Sequence, residues 1–173
     1  MTGCVHGWLR PEVEMACLDE HELVLRCGRQ ASVSVRFAER HAALDRLDGR
    51  LFFLVQVRAP GLDARLEGVT NHVVGRGLVR FVERLEVEGW ERERRWGNAD
   101  RDLLVGARYE SGGHIGLTWT VRPWRRVHGD WSASVTTWVD AGEDRDAFAA
   151  KLRWFLTAEG HPVEYYDSDE VFD

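Results

Sequence analysis

The sequence predicts an α+β domain, an antiparallel sheet of about six or seven strands with two main helices packed on one face. Three observations carry that expectation. Short runs alternating apolar and polar residues recur along most of the chain. Two stretches change to a period of about 3.6 residues, each with one apolar stripe. Each of these follows a group of strands, an order in which one sheet face buries both stripes.

Taken in order, residues 1–20 read as an N-terminal arm, 21–158 as the single domain and 159–173 as an acidic C-terminal tail. "ELVLRC", 22–27, alternates and reads as a strand, and Gly28 and Arg29 turn the chain. "ASVSVRF", 31–37, returns with Val33, Val35 and Phe37 on one face. Residues 38–49 read as a short helix with a thin stripe of Ala43, Leu44 and Leu47, ended by Gly49. "LFFLVQVRA", 51–59, is apolar on both faces until Gln56 and Arg58, as expected of a central, partly covered strand. Pro60 and Gly61 then make a turn. Leu62, Ala64 and Leu66 alternate with Asp63, Arg65 and Glu67, so one face of that run is wet.

"GLVRFVERLEVEGW", 77–90, reads as an amphipathic helix with Leu78, Phe81, Val82 and Leu85 as its stripe and Gly89 as its stop. Strands beginning near Asp102, His114 and Trp131 follow as an antiparallel meander, with a hairpin turn at "SGG", 111–113, and a reversal at 125–129. One meander face carries Gly116, Thr118, Thr120, Ser132, Ser134 and Thr136. Trp138 falls on that face too, which implies either a late bulge or an outward aromatic. Asp140 and Glu143 have the spacing of a capping box for the last helix. Phe148, Leu152 and Phe155 form that helix's stripe, with Ala149 and Leu156 beside them.

Composition narrows the function classes. A chain of 173 residues fits one domain and is long enough for a real core. An apolar share of 44%, with eight Trp and seven Phe, argues against global disorder. A formal charge of -6 argues against a generic nucleic-acid binder. No run approaches the roughly eighteen apolar residues of a membrane helix, and the start lacks the pattern of a signal peptide. Cys4, Cys17 and Cys27 are odd in number and match no zinc spacing, so free thiols in a reducing cytoplasm are expected, with no metal and no cofactor.

The densest unusual chemistry is "EGWERERRWGNAD", 88–100. Its binding candidates are Trp90, Arg92, Arg94, Arg95 and Trp96. Glu88, Glu91 and Glu93 cancel the three arginine charges locally, so the segment has no field to condense phosphate. It reads as a charged bridge between two tryptophan anchors, or as a protein-recognition surface. A second binding candidate is Arg122, Trp124, Arg125 and Arg126, a dense basic cluster suited to an acidic partner, a phosphate or the chain's own acidic tail. His114 and His128, with Asp130 or Asp102, have acid-base character, yet a strand of about ten residues would hold the two rings about 30 Å apart. "GRG", 75–77, lacks the surrounding pattern of a nucleotide loop, and no serine has a nucleophile-elbow context.

The order of a "FF" strand, a G-L-x-x-F helix, "GWERERRW", "DLLVGARY", "GHIGLTWTVR" and "DWSASVTTWVDAGED" resembles a family of uncharacterised small cytoplasmic proteins of actinobacteria, over about residues 20–157. The resemblance implies a domain of unknown function and carries over no catalytic residue. The plan is also similar to that of immunity proteins encoded beside bacterial toxins. The expected function is therefore a non-enzymatic protein-binding module that masks a protein partner. The alternative is a small-molecule binding protein or enzyme with a pocket between sheet and helices, and a homodimer is compatible with either. Neither nucleic acid nor membrane is an expected partner.

Overall fold

The computed structural model describes residues 22–42, 50–72, 77–123 and 130–157. The arm, the tail, most of the stretch read as a helix at 38–49, and Trp124, Arg125, Arg126 and His128 lie outside them.

Two antiparallel sheets of four strands take the place of the single expected sheet. The first is built from β1 (Leu23–Cys27), β2 (Gln30–Ala42), β3 (Arg50–Ala59) and β4 (Leu62–His72), in chain order. The second is built from β5 (Arg94–Gly97), β6 (Leu103–Glu110), β7 (His114–Val121) and β8 (Ala133–Asp140), again in chain order. Helix α1 (Gly77–Glu83) separates the two meanders, and α2 (Glu143–Leu156) closes the described chain. Strand periodicity fixes which residues face inward, but it is the same whether two meanders join edge to edge or pack face to face. Here β8 lies against β1, β2 and β3, and the inner faces of both sheets share one core with the helices.

The centre of that core is aromatic. Phe37 of β2 meets Trp119 of β7 edge-on at 5.6 Å between ring centroids. Trp119 in turn meets Phe148 of α2 at 6.0 Å, and Phe155 of α2 lies 5.8 Å from Phe53 of β3. The Trp119 indole N–H donates to the Thr137 hydroxyl at 2.9 Å, so a fully buried donor is satisfied. β3 is central in its sheet as expected, and Leu54, on the face opposite Phe53 and Val55, is also buried.

Local backbone explains several departures from strict alternation. The residues expected to begin a helix at 38 continue β2 through Ala42 instead. A bulge between Ala38 and His41, with Glu39 at φ 53°, reseats the strand on β3. Pairing with β3 keeps residues 38–42 extended, and the stripe of Ala43, Leu44 and Leu47 lies outside the described residues. In β4 one extra residue near Gly68, at φ 70°, lets Leu66 and Val69 both point into the core.

α1 ends at Glu83, short of the expected Gly89. Leu78, Val82 and Leu85 are buried as the stripe requires. The next stripe positions hold Glu88 and Gly89, so further helical turns would bury nothing. Gly89 does mark a turn, at φ 89°. α2 buries the expected Phe148, Ala149, Leu152, Phe155 and Leu156. Its N-cap is Gly142 with no side-chain cap, which corrects the expected box, because Asp140 is still in β8. Glu143, Asp144 and Asp146 in the first turn face the positive end of the helix.

Arg40 closes the other end of α2. Its Nη1 donates to the carbonyls of Trp154, Phe155 and Thr157 at 3.0, 2.8 and 3.2 Å. The Arg40→Ala variant is expected to lose about 1–2 kcal/mol of stability, because these terminal carbonyls lose a charged donor. Chemical denaturation checks the loss, and faster amide exchange in the last turn of α2 localises it.

Candidate functional site

Both helices pack on the inner side, which leaves the outer face of the second sheet to side chains two apart along each strand. On β7 these are His114, Gly116, Thr118 and Thr120, and on β8 they are Ser134, Thr136, Trp138 and Asp140. Direct cross-strand neighbours bond: the Thr118 and Thr136 hydroxyls lie 2.9 Å apart, and those of Thr120 and Ser134 lie 2.7 Å apart. The β7–β8 register is unbroken from His114↔Asp140 to Val121↔Ala133. Trp138 is therefore an outward aromatic rather than the sign of a bulge.

The Trp138 ring lies over Gly116, where an added Cβ would come within 2.9 Å of it. Only glycine at 116 lets the indole lie this close to the sheet. Arg29, in the β1–β2 turn, places its guanidinium carbon 3.8 Å from the centre of the ring and pairs with Glu110 of β6. The adjacent Gly28 N–H donates to the Trp138 carbonyl at 3.0 Å. A turn of the first sheet thus clasps the outer face of the second. The hydrogen bond from Arg29 holds the Glu110 carboxyl below the usual carboxylate range. Arg108, opposite Gly116 on β6, lies 5.1 Å from the same ring centre. His114 Nδ1 and Asp140 Oδ1 are 2.7 Å apart, so the partner of His114 is neither Asp102 nor Asp130.

The candidates of 88–100 do not converge on one surface. The segment holds a strand that the alternation did not reveal, β5, pairing Arg94↔Ala107 and Trp96↔Val105. Arg94 and Trp96 accordingly lie on the inner side and Arg95 on the outer. Trp96 packs against the core, and a Cβ at Gly77 would come within 2.6 Å of its indole nitrogen. Trp90 packs against Tyr109 at 5.6 Å, beneath Arg94 at 4.9 Å. Arg95 pairs with Glu93, Arg94 pairs with Glu86, and Arg92 is exposed. Of the second cluster only Arg122 is described. It is exposed, and its Nε donates to the Arg101 carbonyl at 2.8 Å.

Residues 26–159 match the sequence profile of a family of unknown function, DUF6228. The chain belongs to this family. No curated protein and no solved structure matches it. The matched span of the DUF6228 domain opens inside β1 and closes just past α2, so it takes in the Arg29 clasp and the whole second sheet. Among the described residues no group of three or more His, Cys, Asp and Glu could hold a metal ion, and no helix is long and apolar enough to cross a membrane. Cys27 is a buried free thiol.

One further polar group of the DUF6228 domain is buried. Asn98 and Asp102, in the β5–β6 turn, are 6% exposed each. Asn98 Nδ2 donates to Asp102 Oδ1 at 2.5 Å and to the Thr70 carbonyl at 3.2 Å. Burial pushes the Asp102 carboxyl above its ordinary value, and nearby Asp100 adds to the shift. The folded state then holds this proton more tightly than the unfolded chain does. Its contribution turns unfavourable as pH rises from the ordinary carboxylate range through the raised folded value. Asp102→Asn keeps the Oδ1 acceptor and removes the charge. It is expected to be more stable than the parent at neutral pH and to show a flatter stability profile in acid, as read from denaturation midpoints against pH.

Gly116 belongs to the small polar face that alternation marks, whereas Arg29 and Arg108 are not among the sequence's candidates. The usable signal was the "SGG" turn, which fixes the β6–β7 register and so sets Arg108 opposite Gly116. That Arg29 reaches Trp138 depends on how the two sheets meet, and strand periodicity does not carry it.

Proposed function

We propose that the chain is a non-enzymatic protein-binding module, of the immunity type, that masks a protein partner with the outer face of its second sheet. The observation that carries this reading is the ordering of that face before any partner arrives. Thr118, Thr136, Thr120 and Ser134 are fixed in hydroxyl pairs, and Trp138 is fixed between Gly116 and Arg29. Side chains already held lose little entropy on association. Tryptophan and arginine are also the residues that most often dominate binding energy. Among the described residues, the centre of the space between sheets and helices is filled by Phe37, Trp119, Phe148 and Phe155. Pairing of Glu93 with Arg95 and of Glu110 with Arg29 offers little positive field to nucleic acid. The module acts in the cytoplasm, in keeping with its resemblance to small actinobacterial proteins.

The test is a photoreactive residue at Thr118, with the same residue at exposed Glu67 of β4 as control, in cells of the native host. One discrete protein adduct from position 118 and none from 67 is expected. An adduct with a second copy would make the partner a homodimer mate. No protein adduct, with a metabolite retained through purification, would move the reading to a small-molecule binder.

A further inference from the structure

We infer that Arg108, braced by Trp138, anchors a carboxylate of an acidic, extended peptide segment belonging to the partner. This rests on the reading that the outer face of the second sheet is the binding face. Two of the anions at that face pair with guanidinium groups, Glu110 with Arg29 and Glu93 with Arg95, and Asp140 is bonded to the His114 ring. Arg108 is exposed and lies beside Glu110, but it is the Arg29 guanidinium that pairs with that carboxylate and holds it down, and the Arg108 charge adds to the effect. The contact of Arg108 is the Trp138 ring, which places the guanidinium while leaving its N–H donors for a ligand. A fork of donors held beside an aromatic matches a carboxylate bidentately.

The surroundings select the rest of the ligand. Gly106 lies two residues from Arg108 on β6 and Gly116 lies opposite it, and the space over them is taken by the Glu93 carboxylate and the Trp138 ring, which wall the anchor on two sides. Beyond them run the rows Thr118–Thr136 and Thr120–Ser134. From Thr118 to Thr120 the strand rises about 7 Å, the length of about two extended residues. Hydroxyls at that spacing can donate to and accept from a peptide backbone laid along β7. Glu93 and Glu110 flank the anchor on β5's approach and on β6, so a dianion is repelled more strongly than a single carboxylate.

The test titrates the full-length, 15N-labelled chain with hexaglutamate, hexaglutamine and hexalysine peptides. Saturable shifts of the Trp138 indole N–H and the Arg108 Nε–H are expected with hexaglutamate alone. Arg108→Gln should weaken that binding about tenfold or more, since a charge-assisted pair is lost. Arg58→Gln, at an exposed arginine of β3 in the other sheet, should leave it unchanged, and an unaltered melting temperature shows that each variant is folded. Arg108→Lys should give intermediate affinity, because the charge stays and the fork goes. Equal affinity in Arg108→Gln, or shifts centred on Arg92, overturns the anchor. Capture at position 118 that persists undiminished in Arg108→Gln also overturns the anchor and leaves the binding face standing, whereas absence of capture in the parent overturns the face itself.

Discussion

Replacing Phe37 with alanine is expected to lower the unfolding free energy by about 3–5 kcal/mol. Phe37 is fully buried and sits where three layers meet. Its ring lies 6.1 Å from Phe53 of its own sheet, 5.6 Å from Trp119 of the other sheet and 6.0 Å from Phe155 of α2. Truncation would leave a void whose walls belong to three separate elements. Each wall is held by other bonds: β2 by pairing on both sides, Trp119 by Thr137, and α2 by Arg40 at its C-terminus. Collapse into the void is therefore limited, which places the cost in the upper part of the usual range. Domains of this size are stable by only about 5–15 kcal/mol, so a measurable unfolded fraction is expected at elevated temperature. Urea denaturation checks the loss, with the slope against denaturant unchanged. Phe37→Leu, which keeps most of the volume, is expected to cost less than about 1.5 kcal/mol. A loss below about 1 kcal/mol for Phe37→Ala would mean that the void closes freely and that the sheets do not share this core.

The contrast between β3 and β5 shows what was legible in the sequence. β3 is ten residues long, and its apolar run reports a central strand regardless of its neighbours. β5 has four residues, two of them arginine, and becomes a strand only because β6 offers it an edge. The helix stripes behave alike. The positions of Leu78, Val82 and Leu85 depend on local period and were readable, whereas the end of α1 depends on what the next turn would bury. The site divides on the same line. The Thr/Ser face of β7 and β8 follows from alternation alone. Arg29 over Trp138 requires the β1–β2 turn to meet the edge strand of another sheet, a relation of tertiary packing. Trp90 and Trp96 pack against the core, and the neighbouring arginines divide between the two faces because Arg94 and Arg95 are consecutive in a strand.

Asn98→Ala is expected to cost about 3 kcal/mol or more, a large effect for a residue with no apolar side chain. The Asn98 Oδ1 accepts the backbone N–H groups of Asp102 and Leu103, both at 3.1 Å. Its Nδ2 satisfies the Thr70 carbonyl of β4 and the Asp102 carboxylate. Alanine would leave two N–H groups, a carbonyl and a buried carboxylate to find other partners at a site only 6% exposed. The turn also holds Arg101 at φ 54°, a conformation that a non-glycine residue adopts at some cost and that the Asn98 bonds help to maintain. Because Thr70 belongs to the first sheet and Asp102 leads into the second, the loss would reach both. Amide exchange is expected to accelerate at Asp102 and Leu103, while the stripe of α2 stays protected. Asn98→Asp separates geometry from charge. It keeps an acceptor for both amides but sets a second carboxylate against Asp102, whose carboxyl burial already pushes upward. Its deficit should be largest at neutral pH and shrink as the pair takes up a proton in mild acid. If Asn98→Asp matched the parent at neutral pH, the network would be satisfied by solvent rather than by Asn98. The coupling of the two sheets would then rest on the aromatic core alone.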